Sequence, residues 1–290
     1  MTARTVTAFA PAKVNLALHV TGRRDDGYHL LDSLVVFARI GDQISAEPSE
    51  ALSITVSGPN ADGIPTDARN LMMKAARLLD PARGAALHLN KTLPPASGIG
   101  GGSSDAAATL RTLAELWGVA EPSPEATLSL GADLPVCMAA APTRMQGIGD
   151  ILTPVTDLPP LHIVLVNPRV LVPTPQVFAN MTKRDNPAMN WPPATDSASA
   201  FIAWLGKQRN DLEAPAIKAL PQIAEGLDGM RATNGCLLAR MSGSGATCFG
   251  LYETAEQARD AAENFSANHP DWWVGAGEVF PDAQSVRATT

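Results

Sequence analysis

Leu93-Pro-Pro-Ala-Ser-Gly-Ile-Gly-Gly-Gly-Ser-Ser-Asp-Ala-Ala-Ala108 is the stretch on which the reading of this chain turns. Glycines at 98, 100, 101 and 102 run into two serines, and the residues beyond them have helical spacing. Without a Cβ, Gly100 to Gly102 let the backbone approach a ligand closely and take up positive φ. The helix they lead into leaves its first N–H groups unpaired and carries the positive end of its dipole. Together, loop and helix start make an anion cradle suited to phosphate. No lysine follows the glycines, so this is not the G-x-x-x-x-G-K-[ST] loop. The match to the G-x-G-x-x-G loop of dinucleotide folds is also poor. A phosphate loop of a third kind remains, alongside a structural reading in which the glycines make tight turns and Ser103 and Ser104 cap the helix.

Working outward, Ala106, Leu110, Leu113 and Trp117 recur at helical spacing, and Gly118 supplies a stop. Towards the N-terminus, Val14, Leu16, Leu18 and Val20 alternate as in a half-buried strand. Further strands are predicted over 34–40, 52–56 and 85–90, and a helix over 70–79 with Asn70 as its N-cap. A second region opens near the double proline at 159–160. It starts with a strand at 162–167 and a helix near Thr174-Pro175, proline being at home in a first turn. Residues 183–197 read as an irregular loop, followed by helices at about 198–206 and 214–230. Strands near 235–241 and 246–252, a helix at 254–266 and a strand at 272–280 complete the region, and the tail from Pro281 is expected to fray. Strands mixed with helices and partly joined as hairpins indicate an α+β fold.

The chain has 290 residues, 45% of them hydrophobic, enough for one large or two ordinary cores. Net charge is −7 and no Lys/Arg-rich run stands out, which argues against a nucleic-acid partner. An anionic substrate must then be held by a local site against the global field. No apolar run approaches the roughly 18–20 residues of a membrane span, and the N-terminus lacks a signal-peptide core, so no membrane partner is expected. Cysteines 137, 236 and 248 are odd in number and lack metal-ligand spacing, which predicts reduced thiols in a cytoplasmic protein.

Two more segments qualify the loop. In Ala10-Pro-Ala-Lys-Val-Asn-Leu-Ala-Leu-His-Val20, Lys13 is the only charged residue between Arg4 and Arg23. It is either a strand-end lysine snorkelling to water or a fixed cation beside a phosphate or reacting hydroxyl. Met241-Ser-Gly-Ser-Gly-Ala-Thr-Cys-Phe-Gly250 is a second small-residue loop entering a strand. Alone it is a β-turn; with the first loop it becomes a second wall of a nucleotide site.

These three motifs, in this order across residues 10–250, resemble the GHMP kinases, the family of galactokinase, homoserine kinase and mevalonate kinase. Asp26-Gly-Tyr-His29, Gly131-Ala-Asp-Leu-Pro-Val-Cys137 and Pro173-Thr-Pro175 strengthen the likeness. The resemblance implies two α+β domains, residues 1–158 like ribosomal protein S5 domain 2 and 159–290 ferredoxin-like, with the site in the cleft between them. It implies catalysis by Lys13 and Asp133, the latter also readable as a plain N-cap. ATP is implied to lie with its phosphates on Pro94, Pro95, Ala96, Ser97, Gly98, Ile99, Gly100, Gly101, Gly102, Ser103 and Ser104. Asn70 and Lys91 fall near adenine or ribose by the same likeness, or else are a helix cap and an exposed lysine. Mg²⁺ is assigned to Ser103 and Ser104. The implied small-molecule substrate is methylerythritol linked to cytidine diphosphate, phosphorylated at its 2-hydroxyl. Cytosine would lie between Tyr28 and Phe178 with its edge read by His29, while Asn15, Thr174 and Pro175 hold the rest. Homoserine- or mevalonate-type kinases and a non-catalytic nucleotide-binding regulator on the same fold are the alternatives. A monomer or weak homodimer is expected. The run before Gly131 looks short for the family.

Overall fold

A computed structural model describes residues 4–289. Strands β1 (Val6–Arg23) and β2 (His29–Pro48) form a long antiparallel hairpin, with Val6 opposite Ala46 and Arg23 opposite His29. β3 (Leu52–Ser57) is followed by helix α1 (Leu71–Leu79), then β4 (Ala85–Asn90) and α2 (Gly101–Trp117). Short α3 (Pro124–Thr127) and α4 (Leu134–Ala139) lead to the hairpin β5 (Thr143–Gly147) and β6 (Ile151–Pro154). β2 carries β1 along one edge and, along the other, β4 at residues 43–48 and β5 at 31–35. β3 closes the far side of β4, in parallel.

The second sheet contains β7 (His162–Asn167), β8 (Leu238–Met241), β9 (Cys248–Tyr252) and β10 (Trp273–Glu278), in the order β10-β7-β9-β8, all antiparallel. Between β7 and β8 lie α5 (Thr174–Ala179), α6 (Ala198–Leu205), α7 (Glu213–Ala219) and α8 (Gln222–Arg231). α9 (Ala255–Asn268) joins β9 to β10, and α10 (Ala283–Arg287) ends the chain. With α8 and α9 as its helices, this half runs β-α-β-β-α-β, the ferredoxin-like pattern. Its sheet shares a core with the first half: Val14, Leu34 and Val36 pack with Ile163, Leu165, Phe201 and Phe249.

The predicted elements at 52–56, 70–79, 85–90 and 162–167 are present, and 183–197 is irregular. Asn70 does cap α1, accepting from the Met72 N–H at 2.9 Å. The run before Gly131 is short, one turn of helix and a 3₁₀ turn. Three expectations are corrected. The helix at 214–230 is two helices, because Pro221 has no N–H to give and Leu220 is extended. The strand expected at 34–40 is only the middle of the longer β2: Asp32 and Asp42 interrupt the apolar pattern, yet both are buried and ion-paired. The tail does not fray. Phe280 is buried and its N–H donates to the Phe37 carbonyl at 2.8 Å. Asp282 caps α10, and Val286 plugs into the apolar cluster that includes Phe37, Ala106 and Leu110.

Burial of one valine side chain is worth roughly 1.5–3 kcal/mol. Val286→Ala should therefore lower the unfolding free energy by about 1–2 kcal/mol, read as a lower urea midpoint at unchanged slope. A frayed tail would leave the midpoint unmoved.

Candidate active site

β1 and the glycine loop meet at Lys13. The Lys13 N–H donates to the Ile99 carbonyl at 2.9 Å, and a Cβ at Gly100 would stand 3.1 Å from the Cβ of Lys13. Gly100, with φ of 62°, is the N-cap of α2, so a side chain there would be strained as well as crowded. The ammonium lies 2.9 Å from Asp133 Oδ1, and the lysine side chain is only 5% exposed. Asp133 does precede a helix, α4, but its carboxylate caps none of the helix N–H groups. Neither bland reading is realised: Lys13 does not snorkel to water, and Asp133 spends its side chain on Lys13.

This ion pair sits in a cavity of about 410 Å³ whose floor is Ala96 to Ser103 and whose far wall is Gly243, Ser244 and Gly245. The two small-residue loops interlock. The Thr247 N–H donates to the Ser97 carbonyl at 3.1 Å, and the Ser242 hydroxyl to the Gly98 carbonyl at 3.1 Å. A Cβ on Gly98, whose φ is +78°, would fall 2.6 Å from the Gly245 carbonyl oxygen. No side chain caps the start of α2, so its leading N–H groups stand unspent at the cavity floor, where an anion would meet them.

Two models of known families match this chain. They are the GHMP kinases N terminal domain over residues 70–154 and GHMP kinases C terminal over 197–271. A 4-diphosphocytidyl-2-C-methyl-D-erythritol kinase of Ruegeria pomeroyi is 55% identical, over 95% of this chain and 99% of its own. One from Cereibacter sphaeroides is 57% identical, over 94% and 98%. The chain belongs to the GHMP kinase family. A crystal structure of 4-(cytidine 5'-diphospho)-2C-methyl-D-erythritol kinase superposes on this kinase with a TM-score of 0.76. It is 33% identical and covers 94% of this chain and 98% of that one. Homoserine kinase from Cytophaga hutchinsonii, 15% identical with a TM-score of 0.66, shares the fold.

Not every residue singled out in the kinase's sequence reaches the cavity. Ser104 is set back from it: its hydroxyl is buried and donates to the Pro11 carbonyl at 2.7 Å. Ile99 is core, and the Pro94 carbonyl accepts from the Ser97 hydroxyl, so both support the loop from beneath. Asn70 and Lys91 border a smaller neighbouring cavity with Pro95, Ala96 and Gly102. Asn70 is occupied there as cap and as donor to the Pro65 carbonyl. Lys91 is not the exposed lysine of the alternative reading; it is 2% exposed.

On the acceptor side, Thr174 at the start of α5 lines the main cavity and shares a 2.8 Å hydrogen bond with Ser244. Pro175 follows it in the first turn. Four residues on from Thr174, Phe178 stacks on His29, centroids 4.3 Å apart and planes within 18°. The aromatic partner of Phe178 is thus His29, while Tyr28 stands 62% exposed on the hairpin tip. Burial, then Arg23 and Arg184, hold His29 below the usual histidine pKa, so it is neutral near pH 7. Its Nε2 is buried without a partner, as is Asn15 Oδ1, although Asn15 Nδ2 donates to Ser33 at 2.7 Å.

A cluster absent from the sequence reading lies beneath the loop. Lys91 Nζ is 2.6 Å from Asp42 Oδ2 and 2.7 Å from Asp105 Oδ2. Burial alone would lower the lysine's pKa, but Asp105 and Asp42 outweigh it and hold the ammonium above its usual value. Burial pushes the Asp105 carboxyl well above the usual carboxylate range, and Lys91 opposes this only in part. The available signal was an aspartate inside the glycine motif and a lysine ending an alternating strand.

Gly98→Ala should weaken ATP binding at least tenfold and lower the melting temperature, because both loops must part to admit the methyl. Wild-type affinity by calorimetry would show that the loops tolerate parting. Asp105 carries a second prediction. Its folded pKa lies above the usual aspartate value of 3.8, so between the two the folded chain holds a proton that the unfolded chain releases. Stability from this group is present at low pH and is lost as pH rises through about 8. Urea unfolding from pH 5 to 9 should show Asp105→Asn gaining stability relative to wild type as pH increases.

Proposed function

We propose that this GHMP kinase transfers the γ-phosphoryl group of ATP to the 2-hydroxyl of 4-diphosphocytidyl-2-C-methyl-D-erythritol, giving the 2-phosphate and ADP. The observation that carries the chemistry is the 2.9 Å Lys13–Asp133 pair at the edge of an uncapped glycine-rich helix start. The acceptor is taken from the relatives' names, at 55–57% identity over nearly the whole chain.

ATP lays its phosphates along Ala96 to Ser103, where backbone N–H groups and the helix dipole offset their charge. Asp133 accepts the 2-hydroxyl proton, the alcohol oxygen bonds to the γ-phosphorus, and the bond to the β–γ bridging oxygen breaks, leaving ADP. Lys13 holds the carboxylate in place and balances charge that builds on the transferring group. Positioning and electrostatics supply most of the acceleration in such a transfer. Mg²⁺ takes oxygen ligands, mainly from phosphates in kinases, and neutralises them. Ser103, which lines the cavity, fits as a protein ligand; Ser104 does not, its hydroxyl being held by Pro11.

The cytosine stacks against the His29–Phe178 pair under cover of Tyr28, an arrangement worth roughly 1–3 kcal/mol. The Nε2 of His29 is buried without a partner, and the pyrimidine edge supplies the hydrogen-bonding group it lacks. Thr174, which lines the cavity, meets the portion between base and reacting hydroxyl, and Pro175 and Asn15, whose Oδ1 has no partner, are read as its further contacts. This reading divides the chain at 158/159 into an ATP-binding half and an acceptor-binding half. It also places the chain in the cytoplasm, where Cys137 and Cys248, buried and unpaired, stay reduced. Among the described residues, no helix is long and apolar enough to cross a membrane.

Asp133→Asn should cut kcat by about 10²–10⁴-fold while the Kd of an ATP analogue stays within threefold. Lys13→Met should fall comparably. ADP release with the cytidine substrate, its uridine counterpart, homoserine and mevalonate decides the acceptor. Turnover of homoserine alone would overturn it.

A further inference from the structure

We propose that Lys91 is a positioning residue for the nucleotide: its ammonium pins both ends of the phosphate loop and so holds the loop in its binding shape. This rests on the kinase reading above, but concerns how the loop is built and not which alcohol is phosphorylated.

The loop departs at Leu93 and returns at Gly101. At its departure, Asp42 Oδ1 accepts from the Thr92 N–H at 2.6 Å and the Leu93 N–H at 2.8 Å. The other oxygen of that carboxylate is the one 2.6 Å from Lys91 Nζ. At its return, Asp105 stands four residues beyond Gly101 on α2, with Oδ2 2.7 Å from the same Nζ. Gly101 itself rests on the ammonium, since a Cβ there would lie 3.2 Å from Nζ. One nitrogen thus joins β2, the exit of β4 and the first turn of α2.

The cluster is closed to water: the Lys91, Asp42 and Asp105 side chains are 3%, 0% and 4% exposed. The lysine backbone is equally committed, its N–H donating to the Ser57 carbonyl at 2.7 Å and its carbonyl accepting from the Asn60 N–H at 3.1 Å. Two of the three ammonium protons go to carboxylates, so this lysine serves the loop and not the base or ribose. A loop anchored at both ends has lost most of its conformational freedom before ATP arrives. The ordering entropy is then not subtracted from binding.

The test uses the whole chain, a non-hydrolysable ATP analogue and calorimetry. Asp105→Ala frees the α2 end while keeping the Lys91–Asp42 pair. It should weaken the analogue at least tenfold and raise KM for ATP in step, with KM for the alcohol within twofold. Lys91→Met should do at least as much, whereas Asp105→Asn, which keeps shape and an oxygen toward Nζ, should stay within threefold. Amide hydrogen exchange on the wild type covers the event that the alanine variant does not fold. The amides of Lys13, Leu93 and Thr247, which donate to Ile99, Asp42 and Ser97, should be nearly as protected without the analogue as with it. A folded Asp105→Ala with wild-type affinity, or these amides protected only by ligand, overturns the inference. Wild type that binds the analogue but phosphorylates no alcohol overturns the kinase reading and leaves these affinities to decide this one.

Discussion

Three segments far apart in the chain meet where there is no room for a side chain. β1 passes the glycine loop so closely that a methyl on Gly100 would crowd Lys13, and the 242–247 loop presses on Gly98 from the other side. Backbone hydrogen bonds from Lys13 to Ile99 and from Thr247 to Ser97 close both seams. The rest of the site follows from this contact. It sets the strand carrying Lys13 beside the uncapped start of α2, and it brings the second half of the chain up as the far wall of the cavity.

Charge is distributed unevenly around that seam. Above the loop, Lys13 and Asp133 form a pair in which the aspartate is 38% exposed and open to an incoming hydroxyl. Below it, Lys91 is shut between two carboxylates with almost no access to water. Two lysine–aspartate contacts of similar length therefore differ in access. One opens on the cavity, whereas the buried one would leave an uncompensated charge if broken and is suited to holding structure.

Much of the fold was legible. Alternation from Val14 to Val20 marked part of β1, strands were expected where β3, β4 and β7 lie, and the spacing from Ala106 to Trp117 marked α2, because these elements bury apolar side chains against the core. What stayed hidden shares a cause. β2 was cut short at Asp32 and Asp42 because buried ionised side chains look like loop residues until their partners, Arg144 and Lys91, are known. α10 was missed because a five-residue helix has little periodicity of its own and is held by Phe280 and Val286 docking on distant residues.

The site divides the same way. From residue types alone, the glycine loop declared a phosphate cradle, since absence of side chains and a helix start are local properties. Resemblance singled out Lys13 and Asp133. Only the tertiary structure decided which polar groups remain free to act: Ser104 is spent on Pro11, Asn70 on its own helix, and Lys91 on two aspartates, while Ser103 and Asp133 still face the cavity. A sequence states which hydrogen-bonding groups exist. Whether one is available depends on what the folded chain has placed within 3 Å of it.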